Sequence, residues 1–167
     1  MGPATAIAAA ALATAGGPGT LVHTGDGYAL YAQRRQQRHA HACLTRSERD
    51  RDKTDDMRAC FSLAPRRPLR VAFFDRQCLS GGGRLIGLTS TRVARLNLAV
   101  QGSQTAAVHL YRIPAAARLP GLRAFSVRRE LAGKTALLSA YDRSGRRIAR
   151  RKLGPFPIAQ CVPPPVP

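Results

Sequence analysis

Tryptophan is missing from this chain of 167 residues, and all aromatics together make up only 5% of it. A core assembled without large rings has to be built from Leu, Val, Ile and Ala, which fill space in small units. Acidic residues are few: 9 Asp and Glu stand against 27 Lys and Arg, a formal net charge of +18. Lysine is scarce too, at positions 53, 134 and 152 only. No apolar run reaches the ~20 residues that a membrane-crossing helix needs.

Catalytic signatures are also absent. Gly133-Lys134-Thr135 ends like a phosphate-binding loop, but the pattern G-x4-G-K-[ST] needs glycine where the chain has Arg128, so the cradle lacks its first bend. There is no G-x-S-x-G for a hydrolase nucleophile and no H-E-x-x-H for a metalloprotease. The mixed-charge run SERDRDKTDD, residues 47–56, fails as a calcium loop, with Thr54 at a ligand position and Asp55 where glycine is required. It reads as a solvated loop. Beyond residue 63 the carboxylates are Asp75, Glu130 and Asp142, too few and too scattered for paired acid and base work. No enzyme and no cofactor is expected.

What the chain does have is strand pattern. In residues 135–151, TALLSAYDRSGRRIARR, an apolar run ends at Asp142-Arg143-Ser144-Gly145 and a second run resumes. Asp accepts from backbone amides and Gly takes positive φ, so this is a hairpin. Upstream, Leu96, Leu98 and Val100 alternate with Arg95, Asn97 and Ala99, the period of a strand with one face in a core. Further strands are expected at 69–74, 84–88, 105–113 and 122–127, with a connection of one helical turn at most across 114–121. Short strands with turns every eight to twelve residues predict a mainly β protein, an antiparallel sandwich or barrel.

The ends read differently. Residues 1–19 hold an apolar segment and small residues spaced Ala11-x-Ala13 and Ala13-x-Ala15, like the end of a secretory signal, although no cation precedes the segment. Export is the expectation, and the alternative is an alanine-rich cytoplasmic end. Residues 20–63 read as a polar lead-in, 64–153 as the sandwich, and 154–167, GPFPIAQCVPPPVP, as a proline-rich extended tail.

An even number of cysteines in an exported chain reads as disulfides. Of the three pairings open to Cys43, Cys60, Cys78 and Cys161, Cys43 with Cys60 is favoured because it closes the mixed-charge run, leaving Cys78 with Cys161 to pin the tail. The alternation His39, His41, Cys43, with Cys60 as a fourth ligand, lacks the paired spacing of structural zinc, so no metal is expected.

The basic charge is uneven: residues 64–167 carry 19 Lys and Arg against 3 acids. Arginine preference with abundant Ala, Gly and Pro is also the imprint of GC-rich coding. The densest cluster, Arg143, Arg146, Arg147, Arg150, Arg151 and Lys152, is the candidate anion-binding surface, extended by Arg95, Arg123, Arg128 and Arg129. Arginines on both faces of one strand mean that it runs beyond the core or lies at a sheet edge, where charge prevents pairing between molecules.

Three stretches, Gly87 to Val100, Arg123 to Val127 and Ala140 to Arg146, roughly follow the patterns G-x-(T/A)-x-x-V-A-R-V-x-V, R-A-F-x-V and A-x-D-x-x-G-R. Over about residues 83–149 the chain resembles a group of functionally uncharacterised, often exported actinobacterial proteins. The departures are Asn97 and Gln101-Gly102-Ser103, where a charged strand face and a D-G turn are commoner. The resemblance implies an immunoglobulin-like β-sandwich outside the membrane, with cysteines ahead of its first strand as at Cys60 and Cys78, and implies no catalytic residues. The expected role is binding or structural, with an anionic envelope polymer or a protein as partner. The alternative is a basic nucleic-acid-binding protein.

Overall fold

The computed structural model describes residues 19–25, 27–36, 39–50, 53–64, 66–74 and 83–156. They form twelve strands in three antiparallel four-stranded sheets. The first sheet is a meander of β1 (Thr20–Gly25), β2 (Tyr28–Gln36), β3 (Ala40–Asp50) and β4 (Lys53–Ser62). The second orders β5 (Leu69–Phe74), β6 (Gly83–Ser90), β10 (Leu122–Arg129) and β9 (Tyr111–Arg112). The third orders β12 (Arg147–Leu153), β11 (Ala136–Tyr141), β7 (Arg95–Val100) and β8 (Ala106–Val108).

The middle sheet is covered on both faces. Along β6, Leu85 enters a core with Leu96, Leu98, Phe125 and Leu138, against the third sheet. Ile86 and Leu88 enter a second core with Leu30, Leu44, Ala59 and Ala124, against the first. Successive strand side chains point to opposite faces, so a strand with both faces covered cannot alternate apolar with polar. Gly83 through Thr89 are accordingly all buried. Gly87 serves close approach: a Cβ there would meet the Arg70 carbonyl oxygen at 2.2 Å and the Phe125 ring at 2.4 Å. Phe125 is the register partner of Gly87 and fills the space a side chain would have taken.

The hairpin at 136–153 is present, and its turn works as its residues dictate. Asp142 Oδ1 accepts from the Ser144 amide at 3.0 Å, the Ser144 hydroxyl at 2.7 Å and the Arg146 amide at 3.0 Å, while Gly145 sits at φ 82°. These hydrogen bonds, the Ser144 hydroxyl foremost, hold the Asp142 carboxyl below its ordinary value. β12 is an edge strand, and its Arg150, Arg151 and Lys152 are exposed.

Three expectations need correction. The described residues between 20 and 63 form a full sheet rather than a lead-in, and within the charged run residues 47–50 and 53–56 belong to paired strands β3 and β4 rather than to a loop. The inward face of β3 reads Ala42, Leu44, Arg46, Glu48, so charges stand where a strand pattern wants apolar residues. Those charges are satisfied inside the protein. Glu48 accepts from Arg84 of β6 at 2.6 Å and 3.0 Å and from Arg46 Nε at 2.6 Å. Arg46 also donates to the Ser126 hydroxyl and lies 3.7 Å over the Tyr28 ring. Burial pushes the Glu48 carboxyl up, but the hydrogen bond from Arg84 and the charges of Arg46 and Arg84 outweigh it and hold the carboxyl below its usual range. The stretch 105–113 is likewise two strands. β8 pairs with β7 in the third sheet and β9 with β10 in the second, so the chain changes sheets at His109 and Leu110.

Cys43 and Cys60 are joined by a disulfide between register partners of β3 and β4, which removes both thiolates from any zinc site. Cys78, Cys161, the signal-like residues 1–18 and the tail from 157 lie outside the described residues.

Candidate anion-binding groove

All three sheets contribute to one groove of about 950 Å³, built mainly from the connections between strands. Its walls are the β4–β5 connection (Leu63, Arg66, Arg67, Pro68), the β6–β7 turn (Thr91, Arg92), the segment before β10 (Arg118 to Leu122) and the start of the final hairpin (Asp142, Arg146, Arg147, Ile148). Arg34 of β2 reaches it from the first sheet.

Backbone hydrogen bonds lock these connections together. The Ser90 amide donates to the Pro68 carbonyl at 3.0 Å and the Thr91 amide to the Gly121 carbonyl at 2.9 Å. Ala94 donates to the Tyr141 carbonyl at 2.8 Å, fastening the β6–β7 turn to the hairpin. Arg70, 8% exposed, shapes the β4–β5 connection from behind, donating to the carbonyls of Ser62 at 2.9 Å and Arg67 at 2.9 Å. Burial, and then the charge of Arg67, lower its guanidinium pKa from the ordinary value, yet an arginine stays protonated at any working pH.

The groove holds Arg34, Arg66, Arg67, Arg70, Arg92, Arg118, Arg146 and Arg147 against one carboxylate, Asp142. That carboxylate is committed to its own turn. Among the described residues, the guanidinium groups of Arg34, Arg66, Arg67, Arg92, Arg118, Arg146 and Arg147 make no hydrogen bond or ion pair. Like charges collected in a concave surface with low-dielectric walls focus a positive potential, which an incoming anion relieves. Guanidinium forks suit carboxylate, phosphate and sulfate oxygens in two-point contacts. Between the cations run the half-buried Leu63, Leu122 and Ile148, apolar surface for the backbone of an anionic chain. Among the described residues no Phe, Tyr or His lines the groove.

Of the cluster expected from the sequence, the structure brings Arg146 and Arg147 into the groove and leaves Arg143, Arg150, Arg151 and Lys152 exposed outside it. Of its proposed extension, Arg123 donates to the Val93 carbonyl at 3.4 Å and Arg95 stacks 4.7 Å over Tyr141. Sequence reasoning missed Arg34, Arg66, Arg67, Arg92 and Arg118, which lie far apart in the chain. The one local signal was the pair Arg66-Arg67 held between Pro65 and Pro68.

A second cleft of about 580 Å³ lies where Tyr28, Arg46, His109, Tyr111, Ser126, Arg128 and Arg129 meet. Several of its polar groups are engaged with one another. The Tyr28 and Tyr111 hydroxyls are 3.1 Å apart, His23 stacks on Tyr111 at 4.1 Å, and Arg46 is held by Glu48 and Ser126. This cluster joins the first sheet to the second.

No family model, no curated protein and no solved structure matches the chain.

Proposed function

We propose that this protein is a non-enzymatic β-sandwich module that works outside the cytoplasm and holds an anionic partner in its arginine groove. The observation that carries the reading is that seven of the groove's eight described arginines, all but Arg70, have guanidiniums without protein partners among the described residues. A binding role is favoured over a catalytic one because arginine does not exchange protons near neutral pH and Asp142 is spent on its turn. The Cys43–Cys60 disulfide fits an oxidising compartment. The signal-like start of the chain and the resemblance to exported modules support the same location. Among the described residues no helix is long and apolar enough to cross a membrane.

The partner favoured is a flexible anionic polymer of the envelope or an acidic protein segment. Nucleic acid is the second reading, motivated by the net charge of +18. Proteins that hold single strands stack bases on aromatic rings, and the described residues of the groove offer none.

The test is titration of the full chain with end-labelled linear polyphosphate, a sulfated polysaccharide and single-stranded DNA, followed by fluorescence anisotropy at rising salt. Binding of the two aromatic-free polymers at least as tight as that of DNA, weakening steeply between about 50 and 200 mM salt, is the expected result. Failure of all three to bind at low salt overturns it.

A further inference from the structure

We infer that Arg118 is the groove residue whose side chain is kept for the ligand. This rests on the anion-binding reading above and deepens it by naming the residue on which affinity turns. Arg118 follows the 3-10 turn Ala115–Ala117 and has φ 54° and ψ 39°, the left-handed region. A Cβ is disfavoured there, and glycine enters it without penalty.

Elsewhere this chain obeys that rule. Every other positive-φ position among the described residues is a glycine, including Gly121 three residues on, and Arg118 is the single exception. Its only bond in the cap is the backbone amide to the Ala115 carbonyl at 2.9 Å, which a glycine would make equally well. The side chain is exposed, lines the groove, and makes no hydrogen bond or ion pair with any described residue. No described residue repays the backbone conformation, and the proposal is that a ligand does.

The mounting suits that role. Ala117 and Leu119 on either side are each 4% exposed and packed into the core, so the backbone at 118 is held firmly while the side chain stands free. A donor carried on fixed backbone loses less freedom when it engages an anion.

The experiment measures stability and affinity on the same variants: Arg118→Gly, Arg118→Asn and Arg118→Lys in the full chain, with linear polyphosphate as the probe. For Arg118→Gly and Arg118→Asn the thermal midpoint should equal or exceed that of the parent. Affinity at about 50 mM salt should fall by about five-fold or more, and the slope of log K against log salt by about one contact. Arg118→Lys, which keeps charge and strain, should retain most of the salt slope. A parent-like affinity and slope in both Arg118→Gly and Arg118→Asn overturns the inference while leaving the groove reading intact. A parent protein that binds no polyanion overturns the groove reading itself. Should Arg118→Gly unfold, the side chain is structural and the inference also falls.

Discussion

Arg84 of β6 and Glu48 of β3 meet across the interface of two sheets, with Nε 2.6 Å from Oε1 and Nη2 3.0 Å from Oε2. Arg84 is 1% exposed, so its charge lies inside the protein with a carboxylate from another layer as partner. Glu48→Gln should cost about 3 kcal/mol in denaturant unfolding, because it leaves buried guanidinium groups facing a neutral amide. The pH dependence follows from the lowered carboxyl of Glu48. Its stabilisation is complete above the unfolded value near pH 4.3 and is lost as pH falls through the lower folded value. Midpoints measured from pH 6 down to about 2.5 should fall more steeply for the parent than for Glu48→Gln.

Reduction of the Cys43–Cys60 disulfide, or Cys43→Ser with Cys60→Ser, should lower stability by about 3 kcal/mol, the loop-closure value for a sequence separation of 17. Thermal unfolding with and without reductant measures it, and the double variant should show no remaining contribution from this pair.

Gly87→Ala should be destabilising by about 2 kcal/mol although alanine is the smallest possible addition. The nearest atom to the new Cβ is a backbone oxygen of Arg70 at 2.2 Å, which cannot move without parting β5 from β6. Near-parent stability would show that the Phe125 ring and β5 shift together at little cost.

In the final hairpin, position relative to the groove should decide the effect of each charge. Arg146→Gln with Arg147→Gln should lower the salt dependence of polyphosphate binding by about two contacts. Arg150→Gln with Arg151→Gln removes the same charge from outside the groove and should change it by much less. Equal losses from both pairs would mean that the whole edge, not the groove, attracts the ligand.

The strands with one covered face and one open face were legible in the sequence. Leu96, Leu98 and Val100 alternate because only one face of β7 enters a core, and Asp142 and Gly145 marked their turn because each does something backbone geometry requires. The first sheet was hidden because Arg46 and Glu48 occupy inward positions, and what satisfies them, Arg84 and Ser126, lies far along the chain. The run LIGL within β6 did carry a trace of the third layer, since an unbroken apolar strand is what two covered faces produce. The groove was least legible. Its arginines come from residues 34 to 147, and only the folded topology makes them neighbours.

The groove's walls are mostly connections, whereas both cores are made mostly by the strands behind them. On the anion-binding proposal, what is held and what folds the chain depend on largely separate positions. Substitutions at 66–67, 92 and 146–147, in connections and at the first residue of β12, would then retune the preferred ligand while both cores stay the same, so descendants of this chain would diverge in binding long before they diverge in shape.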